Sequence, residues 1–439
     1  MTQFADISKL RKEGKLREAY FAAMELTSTD PESIWSKRAM MWVLYDYAKQ
    51  SASLENQDAF LRCVRKVTDL KVPSDEEMFL NAMFAVVRNM VRKCVGDTAS
   101  TPFLDSLCKE VSQWDVPKPG EIYSGMLNTF LKVKDQWPGF ASFCRWWNLD
   151  NLTSNDFIEP TLPDGKKGFS LAEKTYMAYS KALLSQGVKS DIDEWIPRLE
   201  ELCERHPTYL YLPYYLIKLM IVTGGRDAQI ERHIKPLLKQ KPNEFWIWEL
   251  IADSLSDPEQ RFSALCKAMI CRTPDRMSIV LRERMAILLF DRGCHAEAKH
   301  EFEEVVRIRT ENKWRIPASI HRYLSQQELA DVLASKDNRV LYLQHSAWAE
   351  DKFIGTARPV VVQVTHINEE KGFVSFVTRQ RKSGFFREKS NKRRKSINKG
   401  DWIEIMVVKI ERNKPSQVRS WRKIPAQDDE QVVQCGRKP

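Results

Sequence analysis

Two periodicities divide the chain. Up to about residue 353, apolar residues recur at three- and four-residue intervals, which lines them along one face of a helix. Trp35 to Tyr47 and Ala59 to Leu70 read this way. So do three stripes: Met78, Phe79, Met83, Val86, Val87 and Met90; Leu104, Leu107, Val111 and Trp114; Tyr123, Met126, Leu127 and Phe130. Met and aromatic stripes at this spacing are core, so packed helix pairs of irregular length are expected. Ser170, with Glu173 three residues on, predicts a helix start running through Leu184. Ile320 to Leu333 and Val340 to Phe353 predict two closing helices, with breaks at Pro317 and Lys336-Asp337-Asn338. After Gly355 to Pro359 the period becomes two, over Val361 to Ile367, Gly372 to Val377 and Trp402 to Ile410. Such short alternating runs are half-buried strands. Turn chemistry separates them at Asn368 to Gly372 and Asn398 to Asp401. The expected fold is mainly α with a small C-terminal β-barrel.

The helical part repeats. Gly14, Ala19, Leu26 and Pro31 stand at G-x4-A-x6-L-x4-P, a spacing that resembles the second helix of a tetratricopeptide repeat and its following turn. The repetition is fullest from Tyr211 to Asn312, where Gly225 and Gly293 lie 68 residues apart, twice the 34-residue period of that family. Frames starting at 211, 245 and 279 align Tyr214 with Trp248 and Ala252 with Ala286. They also align Ile230, Ala264 and Ala298, then Ile234, Ala268 and Phe302. The resemblance implies an α-helical solenoid whose first helices line a concave face. By register that face carries Trp246, Glu249, Asp253, Asp257, Glu283, Phe290 and Asp291. The set is acidic with two aromatics, which favours a basic protein partner; ordinary solvated positions are the alternative. One candidate ligand is the chain's own basic stretch, Arg379 to Lys399.

The period-two region carries a second resemblance. V-x-x-x-N-x-E-K-G-F from Val364, then Phe385-Phe386-Arg387, then Gly400-Asp401 and Ile403-Glu404-Ile405, is similar to a cold-shock domain, an OB-fold binder of single-stranded nucleic acid. The resemblance implies that His366, Phe373, Phe385 and Arg387 meet the ligand, with Lys371 a further candidate contact, while Ile367, Phe376 and Phe386 point into the barrel. Two positions depart from the family: Ser375 stands where it has an aromatic, and His366 where it has Trp. Each lost stacking platform removes about 1–3 kcal/mol.

Charge offsets that loss. From Arg358 to Lys423 there are 18 Lys and Arg against 6 Asp and Glu, whereas the whole chain has a net charge of +10. The positive excess therefore lies in this one module. Its centre, Arg379 to Lys399, carries Arg379, Arg381, Lys382, Arg387, Lys389, Lys392, Arg393, Arg394, Lys395 and Lys399 against Glu388. Cations interleaved with aromatics fit a phosphate backbone; a solvated loop or a localisation signal are the alternatives.

Six segments follow: irregular helical repeats (1–145), a Trp-rich loop and helix (146–210), three repeats (211–312), capping helices and linker (313–355), the barrel (356–425) and a tail (426–439). In the second, Trp146 to Asp156 reads as an aromatic plug, or Lys166 and Lys167 as an anion-binding loop that matches no phosphate-loop pattern. No run is apolar enough to cross a membrane, and the polar start Met1 to Lys15 lacks a secretory core. Nine scattered Cys without C-x-x-C suit reduced thiols in a cytoplasmic setting. His295 and His300 are five apart, not the four that pairs metal ligands, and no hydrolase or nucleotide-loop motif occurs. No cofactor or metal is implied, and the expectation is a non-enzymatic adaptor that holds single-stranded RNA or DNA, RNA before DNA, and a protein partner. The tandem resembles bacterial proteins that join helical repeats to an OB domain, some in mobile or conflict-associated loci. A purely protein-binding scaffold is the alternative reading, with an enzyme site around Trp146 to Lys167 as a third.

Overall fold

A computed structural model describes residues 4–209, 211–225, 227–271, 273–368, 370, 372–387, 397–412 and 414–424. The protein is mainly helical and ends in a five-strand antiparallel sheet curled into a half-barrel. It divides into two units, Met1–Gly224 and Gly225–Pro439. The division falls inside the first expected 34-residue frame.

The first unit holds α1 (Phe4–Lys12), α2 (Leu16–Thr29), α3 (Ile34–Ser53), α4 (Gln57–Asp69), α5 (Glu77–Lys93), α6 (Thr101–Val111), α7 (Glu121–Phe130), α8 (Phe140–Trp147), α9 (Leu171–Gln186), α10 (Lys189–Arg205) and α11 (Leu212–Val222). Gly14 makes the α1–α2 turn at φ +76°, where a β-carbon would be strained. Ala19 is fully buried, as the close approach of paired helices requires. The apolar stripes form the core, except that Met78 at the start of α5 is 74% exposed.

The Trp-rich segment is a packed plug. Trp147 is fully buried and stacks on Tyr123 with ring centroids 4.4 Å apart. Its Nε1 donates to the Tyr123 carbonyl at 3.1 Å, and the Tyr123 hydroxyl donates to the Trp147 carbonyl. Asp156 caps the turn after it and accepts from the Ser124 hydroxyl at 2.7 Å. Lys166 pairs with neighbouring Asp164 at 2.9 Å, and Lys167 reaches Thr161 Oγ1 at 3.4 Å. Both lysines thus serve their own hairpin.

Ser170 caps α9 as expected, its hydroxyl accepting from the Glu173 amide at 3.1 Å. The Glu173 side chain is itself buried. Burial first, and Glu159 second, push its pKa up from 4.5 to about 7. The folded chain therefore keeps a proton that the unfolded chain releases above about pH 4.5. The stability this confers is complete below that pH and is lost as pH rises through 7. Glu173→Gln should stabilise the protein by about 1–3 kcal/mol at pH 8 and change little at pH 4. Melting curves at the two pH values check this; equal shifts at both would assign the effect to packing instead.

The second unit holds α12 (Asp227–Gln240), α13 (Phe245–Ser254), α14 (Pro258–Ile270), α15 (Asp275–Asp291), α16 (His295–Glu311), α17 (Ala318–Leu324), α18 (Gln327–Ala330), α19 (Arg339–His345) and α20 (Ala347–Phe353). Helices α13 and α14 pack as one pair, α15 and α16 as another. The aligned positions Ala252, Ala286, Ala264, Ala298, Ala268 and Phe302 are all buried. The spacing is not constant, because first helices begin at Leu212, Phe245 and Asp275. Pro274 ends the preceding loop and restarts a helix ahead of the expected frame at 279.

The two expected closing helices are four short ones. The break between α19 and α20 has a tertiary cause. The Ser263 hydroxyl on α14 donates to the His345 carbonyl at 2.5 Å and accepts from the Ala349 amide at 3.1 Å. It thus satisfies two of the backbone groups that the break releases. Buried Glu301 on α16 holds the same region, accepting from the Tyr342 hydroxyl at 2.8 Å and Asn338 Nδ2 at 3.0 Å while pairing with Arg282 at 2.5 Å.

The sheet comprises β1 (Arg358–Asn368), β2 (Phe373–Thr378), β3 (Ser383–Arg387), β4 (Trp402–Lys409) and β5 (Gln417–Lys423), in the order β3-β2-β1-β4-β5. Val362, Val364, Val374, Phe376, Phe386, Ile397, Ile403, Ile405 and Val407 form its inner core, with Ile367 packed against it. Gly384 admits the tight curl of β3: a β-carbon there would lie 2.8 Å from the Phe376 ring and 2.9 Å from Ser416 Oγ. Arg419 on β5 ties the sheet to α20. It pairs with Glu350 at 3.1 Å and Asp351 at 2.9 Å and donates to the Gly355 carbonyl at 2.6 Å. Among the described residues no helix is long and apolar enough to cross a membrane.

Candidate functional site

Strand alternation puts Phe373, Ser375 and Val377 of β2 on the outer face, with Ser383, Phe385 and Arg387 of β3 beside them. On β1 the outward phase would fail at the end near the β1–β2 turn without a bulge. Val364 pairs with Phe376, yet His366 pairs with Ser375, so Thr365 is the extra residue. The bulge brings His366 and Asn368 outward, beside Ser375 and Phe373. Ser375 is flanked by Phe385 on the other side, and Phe373 by Arg387.

The result is one cluster. Phe373 and Phe385 meet edge to face at 5.4 Å and 89°. The Arg387 guanidinium lies over the Phe373 ring, 5.9 Å from its centroid. His366 is exposed, and both Phe rings are half-buried. Apolar rings held open to solvent beside a cation form a surface for a flat, electron-rich ligand that also carries negative charge.

The β2–β3 turn supplies more cations. Arg379, Arg381 and Lys382 are exposed on it. The Thr378 amide donates to the Lys382 carbonyl at 2.8 Å, and the Arg381 amide to the Thr378 carbonyl at 2.9 Å. Arg381 takes φ +59°, a left-handed conformation that costs a non-glycine residue roughly 1–2 kcal/mol. Among the described residues no carboxylate pairs with Arg379, Arg381, Lys382 or Arg387. Three acids of this module have other partners: Glu404 with Arg422 at 2.7 Å, Asp401 with Lys423 at 2.7 Å and Glu411 with Lys409 at 2.6 Å. The Lys423 ammonium, with the Asn398 amide, holds the Asp401 carboxyl below its usual range. Lys371, Lys392, Arg393, Arg394 and Lys395 lie outside the described residues; Ile397, just after the last four, is buried in the core.

Sequence reading missed one member of this face. Trp402 opens β4 opposite Gln363, on the outer side, and is half-buried. The Arg379 guanidinium sits over its ring at 5.6 Å. The alternation of Trp402, Glu404 and Met406 against Ile403, Ile405 and Val407 already marked Trp402 as outward.

The expected acidic groove is only partly brought together. Asp253 on α13 pairs with Arg284 on α15 at 2.7 Å, and Glu283 with Arg309 at 2.5 Å. Asp257 caps α14, accepting from the Gln260 amide at 2.8 Å. Phe290 packs edge-on against Tyr323 at 5.4 Å and His295 at 5.3 Å. Trp246 and Glu249 are half-buried, and Asp291 is exposed. Local pairing thus neutralises part of the acidity counted in the sequence. The exposed side of α15 is instead apolar at Met277 and Val280, which are 58% and 66% exposed.

Residues 210–349 match a family described as a domain of unknown function (DUF7017), a span from just before α11 into α20 that ends ahead of the sheet. No curated protein matches the chain.

Proposed function

We propose that the C-terminal sheet is a cold-shock-like OB module that binds single-stranded nucleic acid, RNA in preference to DNA. The helices form a tetratricopeptide-like scaffold for a protein partner, and the whole is a non-enzymatic adaptor. The observation that carries this is the outer-face cluster of Phe373, Phe385, His366 and Arg387. Strand pairing gathers residues from three strands into one open aromatic and cationic surface. Stacking supplies sequence-tolerant affinity there, and the cations of the β2–β3 turn and of Lys392 to Lys395 supply the phosphate contacts.

The test is titration of the full chain with fluorescent single-stranded oligonucleotides over a range of salt. Replacing Lys392, Arg393, Arg394 and Lys395 by Gln should weaken binding for all sequences. It should also flatten the log–log salt slope by roughly 0.7 per lost phosphate contact. A variant slope equal to the parent's would leave that run as a solvated loop. A second reading, a scaffold that binds protein alone, draws on the apolar side chains Met277 and Val280 exposed on α15. Absence of oligonucleotide binding at low salt would favour it.

A further inference from the structure

The outer face has two ends, and only one of them matches the surface the sequence resemblance implied. At one end stand Phe373, Phe385 and Arg387. At the other stands Trp402, with Arg379 across its ring. Register places the second pair in a continuous row: Ser383, Val377, Gln363 and Trp402 are successive neighbours on β3, β2, β1 and β4. The adjacent row toward the first end is Phe385, Ser375 and His366. Between the two ends lie Ser375 and Val377 on β2 and His366 and Gln363 on β1. Phe373 and Trp402 are thus separated by about four residues along a strand and two strands across it, roughly 15 Å.

Three observations set Trp402 apart from a ring that merely covers the barrel. It lies on the outward side of β4, whose inward side is filled by Ile403, Ile405 and Val407. Its neighbour on β1 is Gln363, a side chain with both donor and acceptor groups. Its cation, Arg379, is exposed on the β2–β3 turn and has no carboxylate partner among the described residues.

We infer that Trp402 and Arg379 form a second base-stacking subsite, with Gln363 as its polar contact, so that a bound single strand runs diagonally over the sheet from Phe373 to β4. This rests on the nucleic-acid reading above and extends it. Two ring–arginine pairs at the ends of one face let each base stack on a ring while the adjacent guanidinium meets a flanking phosphate. The affinity missing at Ser375, where no ring is present, is thereby recovered one row further on.

The experiment is a length series of oligouridylates, from four to twelve nucleotides, titrated onto the full chain and its Trp402→Ala, Arg379→Ala and Phe373→Ala variants. Long oligomers should bind Trp402→Ala about 5- to 150-fold more weakly than the parent. The shortest oligomers that bind should not distinguish the two, because they occupy the Phe373 end alone. Trp402→Phe should restore much of the loss. Arg379→Ala should weaken the same long oligomers and leave short ones unchanged. Equal losses at every length, or none at any length, would overturn the subsite. If Phe373→Ala weakens binding and Trp402→Ala does not, the subsite falls and the nucleic-acid reading stands. If the parent binds no oligomer, both fall.

Discussion

Glu350→Ala should destabilise the second unit by about 3 kcal/mol, the low end of what breaking a buried ion pair costs. Glu350 on α20 pairs with Lys267 of α14 and with Arg419 of β5. Lys267 is 9% exposed and lies 5.8 Å from the centroid of the buried Trp248 ring. Deleting the carboxylate leaves that ammonium beside the ring without its counter-charge, and leaves Arg419, among the described residues, with Asp351 and the Gly355 carbonyl. The junction between α20 and the sheet should loosen with it, because Arg419 on β5 reaches α20. Glu350→Gln keeps a hydrogen-bond acceptor and should lose less. Chemical denaturation with hydrogen exchange at Val418 to Trp421 reads both effects. A loss under about 1 kcal/mol, with exchange unchanged, would mean the pair behaves as an exposed one.

Phe373→Ala and Phe385→Ala should each weaken single-strand binding by about 1–3 kcal/mol, roughly 5- to 150-fold, with little change in fold. Both rings are half-buried on the outer face, so neither fills the core formed by Val374, Phe376 and Phe386. The two losses should not add. The rings touch edge to face, and Arg387 lies over Phe373, so removing either ring changes the platform the other presents. Oligonucleotide titration of both single variants and the double variant measures the coupling. Parent-like affinity in both single variants would remove the stacking mechanism and shift weight to the protein-binding reading.

Much of this architecture was legible in the sequence because it rests on short-range periodicity. The stripes Leu104, Leu107 and Val111 or Tyr123, Met126 and Leu127 define one buried helix face wherever the partner lies. Val374 and Phe376 alternate with Phe373 and Ser375, so the two sides of β2 follow from residue order alone. The Gly14 turn and the Ser170 cap are equally local. The fixed 34-residue frame did not hold, because Pro274 moves the start of α15.

The sequence by itself determined the change from helix to strand near residue 358, which side of β2 and of β4 faces inward, and the concentration of positive charge in the last module. These depend on neighbours a few residues apart. Only the tertiary structure decided which outward residues meet. His366 joins Phe385 through a bulge at Thr365, and Trp402 joins the same face because β4 pairs with β1 rather than with its sequence neighbour β3. It also decided that Ser263 breaks a closing helix in two and that Arg284 and Arg309 neutralise Asp253 and Glu283. Each of these is a contact between residues distant in sequence or on different helices, set by how packed elements close on one another. Hydrophobic period constrains the face of an element; it carries no information on the partner that face will find.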